Sequence, residues 1–152
     1  MGIYKMIKCI KKVLIALIIL MSIIIISPFF IFPVLNDMKA EKLANELRSA
    51  QLPDKTEIIE VLSGCGNTSG AGNHTEIWAG MLIKTELLEQ DILEIFGTTK
   101  VQKVSSDRRY TFIMGNLDKS FSSLNNRTNL DGYYIIEWVD GAVSSFFDLR
   151  GH

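Results

Sequence analysis

The sequence predicts an α+β fold: an N-terminal transmembrane helix and a stalk helix, then a small, mainly antiparallel sheet with one packed helix. Three observations lead there. Val13–Leu35 reads VLIALIILMSIIIISPFFIFPVL, and no charge falls between Lys12 and Asp37. Beyond residue 55 the chain breaks into short runs rich in β-branched and aromatic residues, separated by glycine, asparagine and aspartate, as strands and turns are. Between those runs one stretch, Glu86–Phe96, carries apolar residues at helical spacing.

The apolar run comes first. About 20 mostly apolar residues cross a bilayer core of roughly 30 Å, and the run is long enough. Lys5, Lys8, Lys11 and Lys12 precede it and every acid follows it. Lysines beside a first span keep that flank in the cytoplasm, so residues 1–12 read as a cytoplasmic basic flank and 13–35 as the transmembrane helix. The expected location is the cell membrane: a single pass, N-terminus inside, C-terminal domain extracytoplasmic, with the bilayer as first partner. A cleaved signal peptide would carry an apolar region of about 7–15 residues followed by small residues. This run is longer and ends on the bulky Phe32, Pro33, Val34 and Leu35, which favours an uncleaved anchor. Pro28 and Pro33 each remove a backbone donor and read as a bend near the helix exit.

Residues 36–51 read as the stalk, capped by Asn36 or Asp37. Ala40, Leu43, Ala44 and Leu47 form one narrow apolar stripe, with Lys39, Glu41, Lys42, Glu46 and Arg48 on the other faces. Leu52-Pro53-Asp54 ends the helix, because the residue before proline avoids it. Residues 52–152 are then the extracytoplasmic α+β domain. Its acidic balance argues against nucleic acid, which attracts basic patches.

Within the domain, Thr56–Ser63 reads as a strand, Gly64–His74 as a glycine-rich loop and Thr75–Lys84 as a second strand whose apolar face is Ile77, Ala79, Met81 and Ile83. Thr85 is placed to cap the helix Glu86–Phe96, with Glu86 and Glu89 in its first turn and Gly97 as its stop. Thr99–Ser105 and Tyr110–Met114 read as further strands. In Gly115–Asn129, Phe121 and Leu124 hint at a short helical turn. Tyr133–Val139, Asp140-Gly141 and Ala142–Leu149 read as a closing hairpin, since Asp-Gly suits a two-residue turn. Its core face would be Tyr134, Ile136, Trp138, Val143 and Phe147.

The loop is the distinctive local feature. Its glycines resemble a phosphate cradle, but the lysine of a P-loop is missing and a strand, not a helix, follows. His74, Glu76 and His152 could make an open metal site, but no ligand pair at metal spacing supports it beyond His74/Glu76, so no metal site and no cofactor are assigned. Asp148, Arg150 and His152 alternate, and read as a salt-bridged strand edge; no serine sits on a nucleophile elbow, and no catalytic residue is assigned. Asn67-Thr68-Ser69, Asn73-His74-Thr75 and Asn126-Arg127-Thr128 match the glycosylation triplet, a pattern common by chance. Leu62–Cys65 looks like a lipoprotein box but lies far from any signal peptide. Cys9 and Cys65 fall on opposite sides of the membrane in the expected topology and cannot pair within one chain. Long loops often carry contacts, so Cys65, Asn67, Asn73 and His74 are the partner-binding candidates. A homodimer through the span or through Cys65 stays open.

Leu52-Pro53, the stretch GNTSGAGNHTEIWAGMLI at 66–83 and the closing FDLRGH resemble small uncharacterised single-pass membrane proteins of Gram-positive bacteria. The resemblance spans about Leu52–His152 and implies a bacterial source and a recurring domain, with no activity and no functional residue attached. The expected role is a membrane-anchored binding or regulatory module acting on another membrane or envelope protein. The competing classes are a cell-envelope hydrolase and a structural dimerisation module.

Overall fold

In the computed structural model, which describes residues 2–67, 74–96, 100–105, 111–114, 117–125 and 127–151, the chain begins as one long bent helix. Helix α1 (Gly2–Ile26) and helix α2 (Pro28–Arg48) meet at Ser27. Ser27 donates its N–H to Ile23 and accepts from Ile31, so the helix carries on through the junction. Pro28 has no N–H to give, and that missing rung interrupts the ladder. Residues Tyr4–Arg48 make a 45-residue helix whose N-terminal part is long and apolar enough to cross a membrane.

The expected cap at Asn36 or Asp37 is corrected. Both residues lie inside α2, and Asn36 is fully buried. The C-terminal half of α2 is a layer of the domain: Ala40, Ala44 and Leu47 are buried against the sheet.

The domain is α+β, as expected. Strands β1 (Thr56–Gly66), β2 (Glu76–Thr85), β3 (Lys100–Lys103) and β6 (Tyr133–Gly141) form a four-stranded antiparallel sheet in the order β1-β2-β6-β3. Strands β4 (Thr111–Met114) and β5 (Leu117–Ser120) pair as a separate two-stranded hairpin. A 3-10 turn at Ser122–Leu124 falls on the expected short helical turn. The expected β1–β2 hairpin is present, but β1 runs past Ser63 to Gly66, paired to Glu76.

Helix α3 (Glu89–Phe96) starts later than expected, because Thr85 still belongs to β2. Its N–H donates to Gly132 and its hydroxyl bonds Thr56 across the sheet. The turn into α3 is held by Leu88 N–H donating to Asp91 at 3.3 Å. Gly132 sits at φ +77°, and a side chain there would strike the Thr85 carbonyl, so only glycine suits this crossing.

The sheet is buried on both faces. On one side Ala79, Met81, Ile83, Tyr134 and Ile136 meet Leu47 of α2 and Ile92 of α3. On the other, Trp78, Leu82, Tyr133 and Ile135 meet Val104 and Phe121. The Trp78 ring lies over Gly80, where an added Cβ would come within 2.2 Å of it. An irregularity in register between Ile58 and Glu60 lets Ile59 pack on the Phe121 side. Glu60 there accepts the Ser122 and Ser123 N–H groups at 3.2 and 2.9 Å. Burial raises the Glu60 carboxyl, but these bonds outweigh it and hold it below the ordinary value.

The expected closing hairpin is absent. Strand β6 continues through Asp140-Gly141, and residues 142–151 form no strand. A two-residue turn of that type needs positive φ, and Gly141 does not have it. Lys39 binds the site instead, with Nζ 2.8 Å from Asp140 and 2.7 Å from the Gly141 carbonyl. Of the expected core face, Tyr134 and Ile136 are buried, Trp138 is 42 % exposed and Val143 is exposed. Phe147 packs on the long helix, not on β6. The position of α2, packed mainly over β1 and β2, leaves Trp138 partly exposed.

Ile136→Ala should therefore cost about 2–5 kcal/mol. Trp138→Ala should cost less than about 1 kcal/mol, as exposed substitutions do. Denaturant unfolding of the full chain in detergent micelles, followed through the buried Trp78, measures both.

Candidate functional site

The candidate residues gather where α2 enters the domain. The end of β1, the start of β2 and the end of β6 lie at one end of the sheet, with Cys65 opposite Ile77 and Glu76 opposite Gly141. Ala40 of α2 packs with Cys65 and Ile77, which fixes this end as the one nearest the apolar part of the helix. The first and last residues of the glycine-rich connection that are described, Asn67 and His74, therefore sit beside the helix entry. Asn73 lies outside the described residues.

Residues 142–151 close the site from the other side. After Gly141 the chain turns down along the helix, and the Val143 N–H donates to Asn36 Oδ1 at 2.7 Å. Phe147 stacks on Phe32 with ring centres 5.3 Å apart and meets Phe29 edge-on at the same distance. The chain then returns through a 3-10 turn at Leu149–Gly151. Gly151 lies so close to the His74 carbonyl that an added Cβ would sit 2.4 Å from it. Ser145 donates to the Thr75 carbonyl, and Thr75 donates to the Asp148 carbonyl.

At the centre is Asp148, fully buried. Its carboxylate accepts from Asn36 Nδ2 at 2.7 Å and from Arg150 Nε and Nη2 at 2.8 and 2.7 Å. Arg150 also donates to Asp37 at 2.6 Å and to the Pro33 carbonyl at 3.1 Å. Burial alone raises an aspartate, but the bonds from Arg150 and Asn36 outweigh it and hold Asp148 below its ordinary value. The same bond to Asp148 raises Arg150, which stays charged. The expected alternating strand edge of Asp148, Arg150 and His152 is thus corrected: Asp148 and Arg150 form a two-pronged pair inside a turn, and His152 lies outside the described residues.

Cys65 is buried, and burial pushes its thiol up to about 12. A thiol held protonated at neutral pH is a poor nucleophile, so Cys65 contributes packing here and no exposed reactive group. His74 is half-exposed, with Nε2 3.2 Å from Glu76. Among the described residues no group of three metal-ligating side chains forms. Two features escape sequence reasoning: the Asn36–Asp148 contact, between residues 112 apart, and the end of β6, where Trp138 and Val139 are exposed and lie beyond the last residue paired with β3 among the described residues.

Comparison of the chain with protein-family models, with curated proteins and with solved structures finds no match to any of them.

A depressed carboxylate stabilises the fold above its unfolded value and loses that contribution as the pH falls through the folded one. The Asp148 contribution should therefore be whole at neutral pH and fade below the ordinary aspartate value of about 4. Asp148→Asn should lower stability at pH 7 by about 2 kcal/mol, in the range of hydrogen bonds to charged groups. It should also flatten the loss of stability between pH 5 and pH 2; thermal unfolding in micelles across that range measures it.

Proposed function

We propose that the chain is a single-pass membrane protein whose α+β domain binds or regulates another membrane or envelope protein. The observation that carries the reading is the continuity of the anchor with the domain. The same helix supplies the apolar run and a layer of the core, and Asn36, Asp148 and Arg150 lock the two together. A module tethered by a loose linker samples many orientations. A domain built on its own anchor helix presents one face at one height, which suits engagement of a partner held in the same bilayer. What it presents there is the end of β6, where Trp138 and Val139 are exposed on opposite faces of the strand beyond the last described pair with β3. Asn67 and His74 follow the end of β1 and precede the start of β2 at the same end of the sheet. A strand edge with apolar neighbours accepts an added strand from a partner.

The proposed orientation has the N-terminus inside and the domain outside the cytoplasm; its support is Lys5, Lys8, Lys11 and Lys12 before the apolar run. A cysteine at Gly141 tests it, since a side chain there meets nothing within 4 Å. In a Cys9→Ser background a membrane-impermeant thiol reagent should label Gly141→Cys on intact cells. Labelling only after lysis reverses the orientation.

A photo-crosslinking residue at Trp138 or Asn67 tests the partner face. In intact cells it should yield a discrete adduct to one membrane or envelope protein, and the same residue at Glu89, at the start of α3, should not. Equal adducts from all three positions, or none from any, would remove this face as the contact surface.

A further inference from the structure

Residues 143–149 descend from the domain along the helix and come back, with Phe146 and Phe147 at the turning point. Phe147 spends its ring on Phe29 and Phe32. Phe146 leans edge-on against Phe147 and remains 72 % exposed, and Leu149 remains 65 % exposed. Exposed apolar side chains are ordinary singly, but these two share a turn whose depth the helix sets.

That depth can be reckoned along the helix. At 1.5 Å per residue, Phe29 and Phe32 lie about 24 and 29 Å beyond Val13. A hydrocarbon core of about 30 Å starting at Val13 therefore ends near Phe32. The groups just beyond are polar: Asn36 bonds Asp148, Arg150 bonds Asp37 and Lys39 bonds Asp140 at the next level up. We propose that the turn at Phe146–Leu149 is a second membrane contact, an interfacial foot that seats Phe146 and Leu149 among the lipids beside the anchor. The proposal rests on the reading of the apolar run as a span.

The chemistry matches the boundary zone. Phenylalanine and leucine serve as the lipid-facing residues of segments lying in the interface, and an arginine can hold its charge in the headgroups while its stem lies along apolar surface. Irregular backbone is costly deeper in hydrocarbon. Here the Val143 N–H is held by Asn36 and the Asp148 N–H donates to Ser145, which eases an interfacial position. With the helix as one support and the foot as another, the domain resists both tilt and rotation about the anchor.

Spin labels on single cysteines test it in the full chain, in a Cys9→Ser background, reconstituted into phosphatidylcholine–phosphatidylglycerol nanodiscs. Cys65 is buried and stays unlabelled. Labels go on Phe146→Cys, Leu149→Cys, Leu17→Cys within the apolar run, and Asp54→Cys at the far end of the domain. Collision with oxygen, which concentrates in lipid, is compared with collision with a water-soluble nickel complex. Positions 146 and 149 should show an oxygen-to-nickel ratio several-fold above that of 54 and approaching that of 17. If 17 is lipid-exposed while 146 and 149 match 54, the foot is overturned and the span stands. If 17 itself matches 54, span and foot both fall. If 146 and 149 are shielded from both reagents, protein covers the turn and the foot is overturned. Continued protection of Cys65 from thiol reagents certifies that each variant is folded.

Discussion

A buried carboxylate persists only where donors replace the water it has lost. Asp148 meets that condition through Asn36 on the helix and Arg150 two residues along its own turn, and the rest of the structure depends on the result. The bonds reach from the last segment of the chain to the middle of the first helix. They hold residues 142–151 against the helix, and those residues in turn brace Thr75 and His74 at the start of β2. Removing Asn36 or Arg150 takes donors from a buried charge at a point where the long helix, the sheet and the tail meet.

The sheet shows why this joint is needed. Its central strands β2 and β6 are buried on both faces, by α2 and α3 on one side and by the segment around Phe121 on the other. Helix α2 packs mainly over β1 and β2 and reaches the end of β6 through the Lys39 side chain, so Trp138 stays partly exposed. Asp140 and Gly141 are tied to Lys39, and the chain is led toward Asn36 and away from β6. Phe147 then finds an apolar partner in Phe29 and Phe32, which a return along β6 would deny it.

The candidate site was legible only in part. Composition marked out the stretch from Cys65 to His74; of its described residues, Cys65 pairs opposite Ile77 at the end of the sheet that α2 enters. Composition could not tell a buried Cys65 from an exposed one, because a glycine-flanked cysteine reads the same at the end of a strand as in a loop. Asp148 and Arg150 stood out by spacing, but alternation implied an extended tail, and the turn that brings both prongs of Arg150 onto Asp148 leaves no local mark.

By itself the sequence determined the long helix, its charge-free run, the β1–β2 hairpin and the packing face of β2, because each depends on periodicity within a short stretch. Asp140-Gly141 shows the limit. Its local preference for a tight turn is worth less than an ion pair to Lys39 and the burial of Phe147, both of which come from residues about a hundred positions away. The tertiary structure alone decided that the stalk is a layer of the core, that Asn36 is a buried partner and not a cap, and that Trp138 is exposed. The physical reason is common to all three: each outcome turns on which surface α2 covers, and that is set by the summed burial of both sheet faces, a quantity that no single segment of the chain carries.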